Sequence, residues 1–169
     1  MSRPGFHTLT LGCKLNRYDS AAIEAEMLRR GFAPENDLSA AAVVIVNTCA
    51  VTGKADSEAR RLVRRVRRVN PSCRLLVTGC YAEIDREAIE ALPRVDRVFG
   101  NRDKERLAEI LDDIGVVLPP CPETAAAHAC EAPLTPRFGD RGRAYLKVQE
   151  GCDLACSYCV IPRARGRSR

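Results

Sequence analysis

Five consecutive apolar residues, Ala42-Val43-Val44-Ile45-Val46, constrain this chain more than any other stretch. A strand with one wet face alternates apolar and polar residues. An unbroken, mostly β-branched run fits a central parallel strand covered on both faces. The flanking segments suit that plan. Residues 6–11 roughly alternate and read as a strand, residues 74–78 as another, and residues 97–100 as a short fourth. Helical patterns lie between them. One begins near Asn16, carries Ala22, Ile23, Met27 and Leu28 on one stripe, and stops at Gly31. Asn16, with Asp19 three residues later, reads as its capping pair. A second covers about 56–69, buries Ala59, Leu62, Val63, Val66 and Val69, and ends before Pro71. Two more cover about 85–92 and 104–111. Strands alternating with helices make this an α/β chain, a parallel sheet flanked by helices with right-handed crossovers.

The pattern dissolves beyond residue 112. Pro119, Pro120, Pro122, Pro133 and Pro136 sit with a short Ala run and read as a linker. Residues 144–149 then look like a new strand, followed by Gly151 and three cysteines. The expected division is 1–112 for the α/β domain, 113–136 for the linker, and 137–169 for the start of a second domain.

Charge follows this division. Residues 1–136 hold 19 Lys+Arg and 19 Asp+Glu; residues 137–169 hold 8 basic and 3 acidic residues, hence the whole net charge of +5. A basic C-terminal segment suits phosphates or a solvated tail equally. No run reaches the ~18 apolar residues of a membrane span, and the first residues lack a signal-peptide pattern. The chain is therefore read as cytoplasmic, where thiols stay reduced and nine cysteines suit metal better than disulfides.

Cys13, Cys49 and Cys80 are far apart in sequence, yet each falls just past the C-terminal end of an expected strand. Those ends share one edge of a parallel sheet, where open α/β folds bind ligands. Gly12 and Gly79 let backbone approach closely there. A single such cysteine is an ordinary small core residue; three in one topological slot favour a metal site. Three ligands suit an iron–sulfur cluster with one open iron, or a zinc with a water, and spacing does not choose. Cys73 lies on the opposite edge, and Cys121 and Cys130 in the linker; all three read as incidental.

Cys152, Cys156 and Cys159 form C-x-x-x-C-x-x-C within one loop. Such a loop can wrap three thiolates around a cubane, leaving one iron to chelate S-adenosylmethionine, whose reductive cleavage yields a radical. Tyr158, just before the third cysteine, suits packing on the adenine. A zinc knuckle would lack its fourth ligand, since His7 and His128 are distant.

Together these motifs resemble the methylthiotransferase family. The resemblance rests on Leu11-Gly12-Cys13-Lys14-Leu15-Asn16, Asn47-Thr48-Cys49-Ala50-Val51-Thr52, Thr78-Gly79-Cys80 and residues 149–163 around the last three cysteines. Lys14-Leu15-Asn16, residues 50–56 and residues 147–152 look most like the branch that thiomethylates N6-threonylcarbamoyladenosine in tRNA. The isopentenyladenosine and ribosomal-protein branches look less similar there.

The resemblance implies two 4Fe-4S clusters and S-adenosylmethionine as cofactors. Cys152, Cys156 and Cys159 would hold the radical-generating cluster. Cys13, Cys49 and Cys80 would hold an auxiliary cluster whose free iron carries the sulfur to be inserted. It also implies the tRNA anticodon loop as partner and a reductant such as flavodoxin or ferredoxin. Family members continue through a full barrel, and usually a small RNA-binding β domain, whereas only the first barrel strand is expected here. The chain is thus read as an N-terminal fragment, inactive alone. A non-catalytic iron–sulfur module is the competing reading. Arg60, Arg61, Arg64, Arg65, Arg67 and Arg68 form the polar face of the second helix and need no RNA to explain them. Arg163, Arg165 and Arg167, beside the cluster loop, are better RNA or cofactor candidates.

Overall fold

The computed structural model describes residues 3–51, 54–116 and 145–169. β1 (Gly5–Thr10) leads into α1 (Lys14–Arg29), a two-residue β2 (Ala33–Pro34) and then β3 (Val43–Thr48). α2 (Ala55–Val69), β4 (Arg74–Gly79), α3 (Cys80–Ile84), α4 (Arg86–Glu90) and β5 (Arg97–Val98) follow. A 3-10 turn, η1 (Arg102–Arg106), runs into α5 (Leu107–Asp113), and α6 (Ile161–Arg165) lies near the C-terminus.

The five strands are parallel and ordered β2-β1-β3-β4-β5. β3 is central and buried throughout, as its unbroken apolar run requires. Its pleat sends Val43 and Ile45 into one layer, with Ile23 and Met27 of α1, Leu76 of β4, and Leu107, Ile110 and Leu111 of α5. Val44 and Val46 enter the other layer, with Ala59, Val63 and Val66 of α2, Tyr81 and Ala82 of α3, and Leu75 and Val77 of β4. Each such buried aliphatic side chain contributes about 2 kcal/mol of transfer free energy. The order is that of the flavodoxin-like doubly wound fold. The chain reverses its direction of growth between β1 and β3, so the ligand crevice of such sheets falls at the C-terminal ends of those two strands.

Several expectations need correction. α1 starts at Lys14 with Cys13 as its N-cap, and no side chain caps it. Asn16 and Asp19 are buried in the helix instead, serving tertiary contacts. A helix begins at Cys80 itself; Asp85 then opens a second one, accepting the Ala88 N–H at 3.2 Å. β2 was not foreseen; it is short, and Pro34, lacking an N–H, is tolerated at a sheet edge. Val69 is exposed, because it closes α2 beyond the core.

The most consequential correction concerns residues 145–149, which are not a strand. Leu146 and Val148 are 84% and 85% exposed. An extended segment becomes a strand only when a neighbour takes its N–H and C=O groups, and no described strand lies beside this one. Instead Glu150 and Arg169 exchange both backbone bonds at 2.9 Å, closing the loop that carries the last three cysteines. Ala144, the linker from residue 117, Cys121 and Cys130 lie outside the described residues.

Candidate metal centre

Cys13, Cys49 and Cys80 follow β1, β3 and β4 at the C-terminal edge, with Cys13 and Cys49 flanking the switch point. Cys13 is exposed; Cys49 and Cys80 are buried. Glycine is required at two of the turns. Gly12 has φ +94°, and a Cβ there would collide with Cys49 Sγ. Gly79 has φ +101°, and a Cβ would collide with the Thr48 backbone.

One side chain gathers all three turns. Asn16 Nδ2 donates to Leu11 O and Thr48 O, both at 2.8 Å, tying the end of β1 to the end of β3. Its Oδ1 faces Cys80 Sγ at 3.9 Å. Asn47 Nδ2 steadies this part of α1, donating to Asn16 O and Ser20 Oγ at 2.9 Å. Thr48 Oγ1 donates to Thr78 O at 2.6 Å and accepts the Ala82 N–H at 3.2 Å, joining β3 to β4 and α3.

Burial pushes the Cys49 thiol up. The charges of Cys80 and Cys13 push it the same way, against the backbone N–H groups of Val51 and Ala50. The three sulfurs are thus within electrostatic reach of one another, and a set of three thiol donors suits a soft cation. Among the described residues, no three His, Cys, Asp or Glu side chains stand where they could hold a metal ion as they are placed. The fit to a thiolate-bound group rests on donor chemistry and on the glycine-only gap against Cys49.

The second set lies in one loop. Cys152 N–H donates to Gly166 O at 3.1 Å, and Cys159 N–H donates to Cys156 O at 3.0 Å, forming a turn. Cys156 is exposed and the other two partly so; Tyr158 is 90% exposed. Cys73 is buried at the start of β4, on the opposite edge, where burial pushes its thiol up. Arg67 donates to Cys73 O at 2.7 Å and pairs with Asp96, so this member of the α2 arginine run is a structural tie.

A buried ionic network escaped the sequence reading. Arg165, considered above for RNA, has a side chain 1% exposed, paired with Asp19 at 2.8 Å and Glu150 at 2.9 Å. Lys104 Nζ meets Asp19 Oδ2 and Asn101 Oδ1, each at 2.8 Å. Asn101 Nδ2 donates to Ala164 O at 2.6 Å. Burial alone would raise the Glu150 carboxyl; bonds from Lys147 and Arg169 and the nearby charges hold it at about 2. Burial would lower the Arg165 guanidinium, but Asp19 and Cys80 raise it. Arg163 and Arg167 are exposed.

A family profile described as Uncharacterized protein family UPF0004 matches residues 5–100. The chain belongs to this family. Its relatives include the threonylcarbamoyladenosine tRNA methylthiotransferase of Bacillus subtilis, 38% identical over 172 aligned positions, covering all of this chain and 38% of that protein. The protein of the same name from Chlamydia pneumoniae is 36% identical, covering 96% of this chain and 36% of its own length. The ribosomal protein uS12 methylthiotransferase of Myxococcus xanthus is 32% identical, with 96% and 35% covered. The methylthiotransferase resemblance drawn from the cysteine motifs therefore stands. The chain spans little more than a third of these relatives. No described helix is long and apolar enough to cross a membrane.

Proposed function

We propose that this chain is the N-terminal part of a cytoplasmic tRNA methylthiotransferase. The reaction would place a methylthio group at C2 of N6-threonylcarbamoyladenosine, next to the anticodon. The observation that carries the reading is the edge where Asn16 ties together the turns of Cys13, Cys49 and Cys80. The names of the relatives in Bacillus subtilis and Chlamydia pneumoniae support the tRNA substrate. The domain division proposed is 1–112, 113–136 and 137–169.

Cys13, Cys49 and Cys80 would hold an auxiliary 4Fe-4S cluster, and Cys152, Cys156 and Cys159 a second one. When bound, these clusters and S-adenosylmethionine supply the sulfur and the radical, with electrons from a reductant such as flavodoxin or ferredoxin. The chain's own residues prepare the ground. Asn16 and Thr48 hold the first three turns in register; buried Cys49 and Cys80 keep water from the inner side of that edge. Tyr158 offers an exposed ring to the adenine. The 169 residues alone are proposed to lack turnover, because the relatives use much more chain.

Anaerobic reconstitution with iron and sulfide tests the cofactor reading. About eight irons and eight sulfides per chain are expected for two such clusters, with matching Mössbauer spectra; one zinc and no sulfide defeats it. Nucleoside mass spectrometry of tRNA from cells with and without the gene tests the substrate. A second reading is favoured by the Myxococcus xanthus relative: a mass shift on a ribosomal protein instead of tRNA would select it.

A further inference from the structure

The two cysteine sets belong to segments far apart in sequence, and one buried guanidinium touches both sides of their junction. Arg165 Nη2 donates to Asn16 Oδ1 at 2.6 Å, the atom that also faces Cys80 Sγ. Arg165 Nη1 pairs with Asp19 of α1 and with Glu150 of the cysteine loop. Arg165 is followed by Gly166, whose carbonyl takes the Cys152 N–H. Gly166 has φ +78°, and a Cβ there would come within 2.9 Å of Arg102 Nη2. Asn101 grips Ala164 O from the β5 side. Glu150 is held in turn by Lys147 at 3.1 Å and Arg169 at 3.2 Å.

We propose that Arg165 is a positioning residue that locks the Cys152–Cys159 loop onto the Cys13/Cys49/Cys80 edge, so that this side chain, alongside the Asn101 bond to Ala164 O, sets the spacing of the two sets. A guanidinium suits the task, because its planar fork bonds several acceptors in fixed directions while staying charged. Paired burial also makes each partner matter, since removing one leaves the other charges buried and unmatched. The lock gives the proposed function its geometry, and that reading supplies its purpose. The lock itself is tested on the metal-free chain, so the two can fail separately.

Pulsed alkylation with N-ethylmaleimide, read by peptide mass spectrometry under anaerobic reducing conditions, makes the test. Cys80 and Cys73 sit at opposite ends of β4 and are both buried, so Cys73 reports global loosening. Labelling follows the population of the locally open form. Arg165→Gln is expected to speed Cys80 labelling about tenfold with Cys73 unchanged. Arg165→Lys, which keeps charge but loses the fork, is expected to restore part of the protection. An unchanged Cys80 rate in Arg165→Gln overturns the lock. Should Arg165→Gln loosen both thiols alike, Glu150→Ala decides, since it removes the acceptor that Arg165 Nη1 bonds and so cuts the lock from the loop side. Faster labelling at Cys80 alone then supports the lock, and parallel change or none overturns it.

Discussion

Asn16 Nδ2 bonds the carbonyls of Leu11 and Thr48 at equal distances of 2.8 Å, so one amide spans the switch point between β1 and β3. Asn16→Ala would leave both carbonyls and the Arg165 guanidinium without this partner. Unsatisfied buried groups cost about 1–3 kcal/mol each when they cannot reach water. A loss of about 3 kcal/mol is expected in urea unfolding followed by circular dichroism. Iron uptake at the first cysteine set should fall with it, while the second set, which Asn16 reaches only through Arg165, should lose less.

Two glycines with positive φ separate strain from collision. At Gly115, φ is +73° and nothing lies within 4 Å of a notional Cβ, so Gly115→Ala meets only backbone strain, about 1 kcal/mol. At Gly79 the same strain is joined by collision with the Thr48 backbone, which cannot swing aside. Gly79→Ala is expected to destabilise by about 3 kcal/mol or more and to displace Cys80. Similar losses for the two variants in thermal unfolding would refute this distinction.

The sheet and the cysteine edge were legible because they depend on local pattern. The Val43–Val46 stretch of β3 fitted a strand covered on both faces, and each Gly-Cys or Thr-Cys step marked a strand end. Asn16 misled because a buried Asn and a capping Asn look alike in sequence; its partners are set by β3 and α6. Arg165 misled for a related reason. It stands among exposed arginines, and the acids that bury it lie 15 and 146 positions away. Residues 145–149 had strand composition but no neighbour to pair with, and composition carries no record of a neighbour.

Asp96 supports an acid-sensitive corner remote from the cysteine edge. Burial alone would raise its carboxyl, but the Leu75 N–H at 2.7 Å and the Arg67 and Arg74 side chains outweigh that and hold it below its usual range. A carboxyl lowered by folding adds stability above its unfolded pKa of about 3.9, and that stability is lost as pH falls through the folded value. Asp96→Asn is therefore expected to be less stable than the parent at pH 7, by about 2 kcal/mol for lost bonds to charged groups. The gap should narrow below about pH 4. A gap that stays constant from pH 7 to pH 2 would show that Asp96 does not titrate in this way.

Cysteine variants separate Cys73 from the first cysteine set by role. Cys73 shares burial with Cys49 and Cys80, yet sits at the start of β4, a full strand length from the proposed centre. Substituting any one of Cys13, Cys49 and Cys80 by Ala should remove about half the iron and sulfide bound after reconstitution, since one of two four-iron clusters loses a ligand. Cys73→Ala should leave both counts at the parental value. It should still lower the unfolding midpoint, because a small buried side chain and its contact with Asn70 O at 3.3 Å are lost. Iron and sulfide loss in Cys73→Ala to the same degree as in Cys80→Ala would mean that the counts track general stability, and the assignment of the first set would fall.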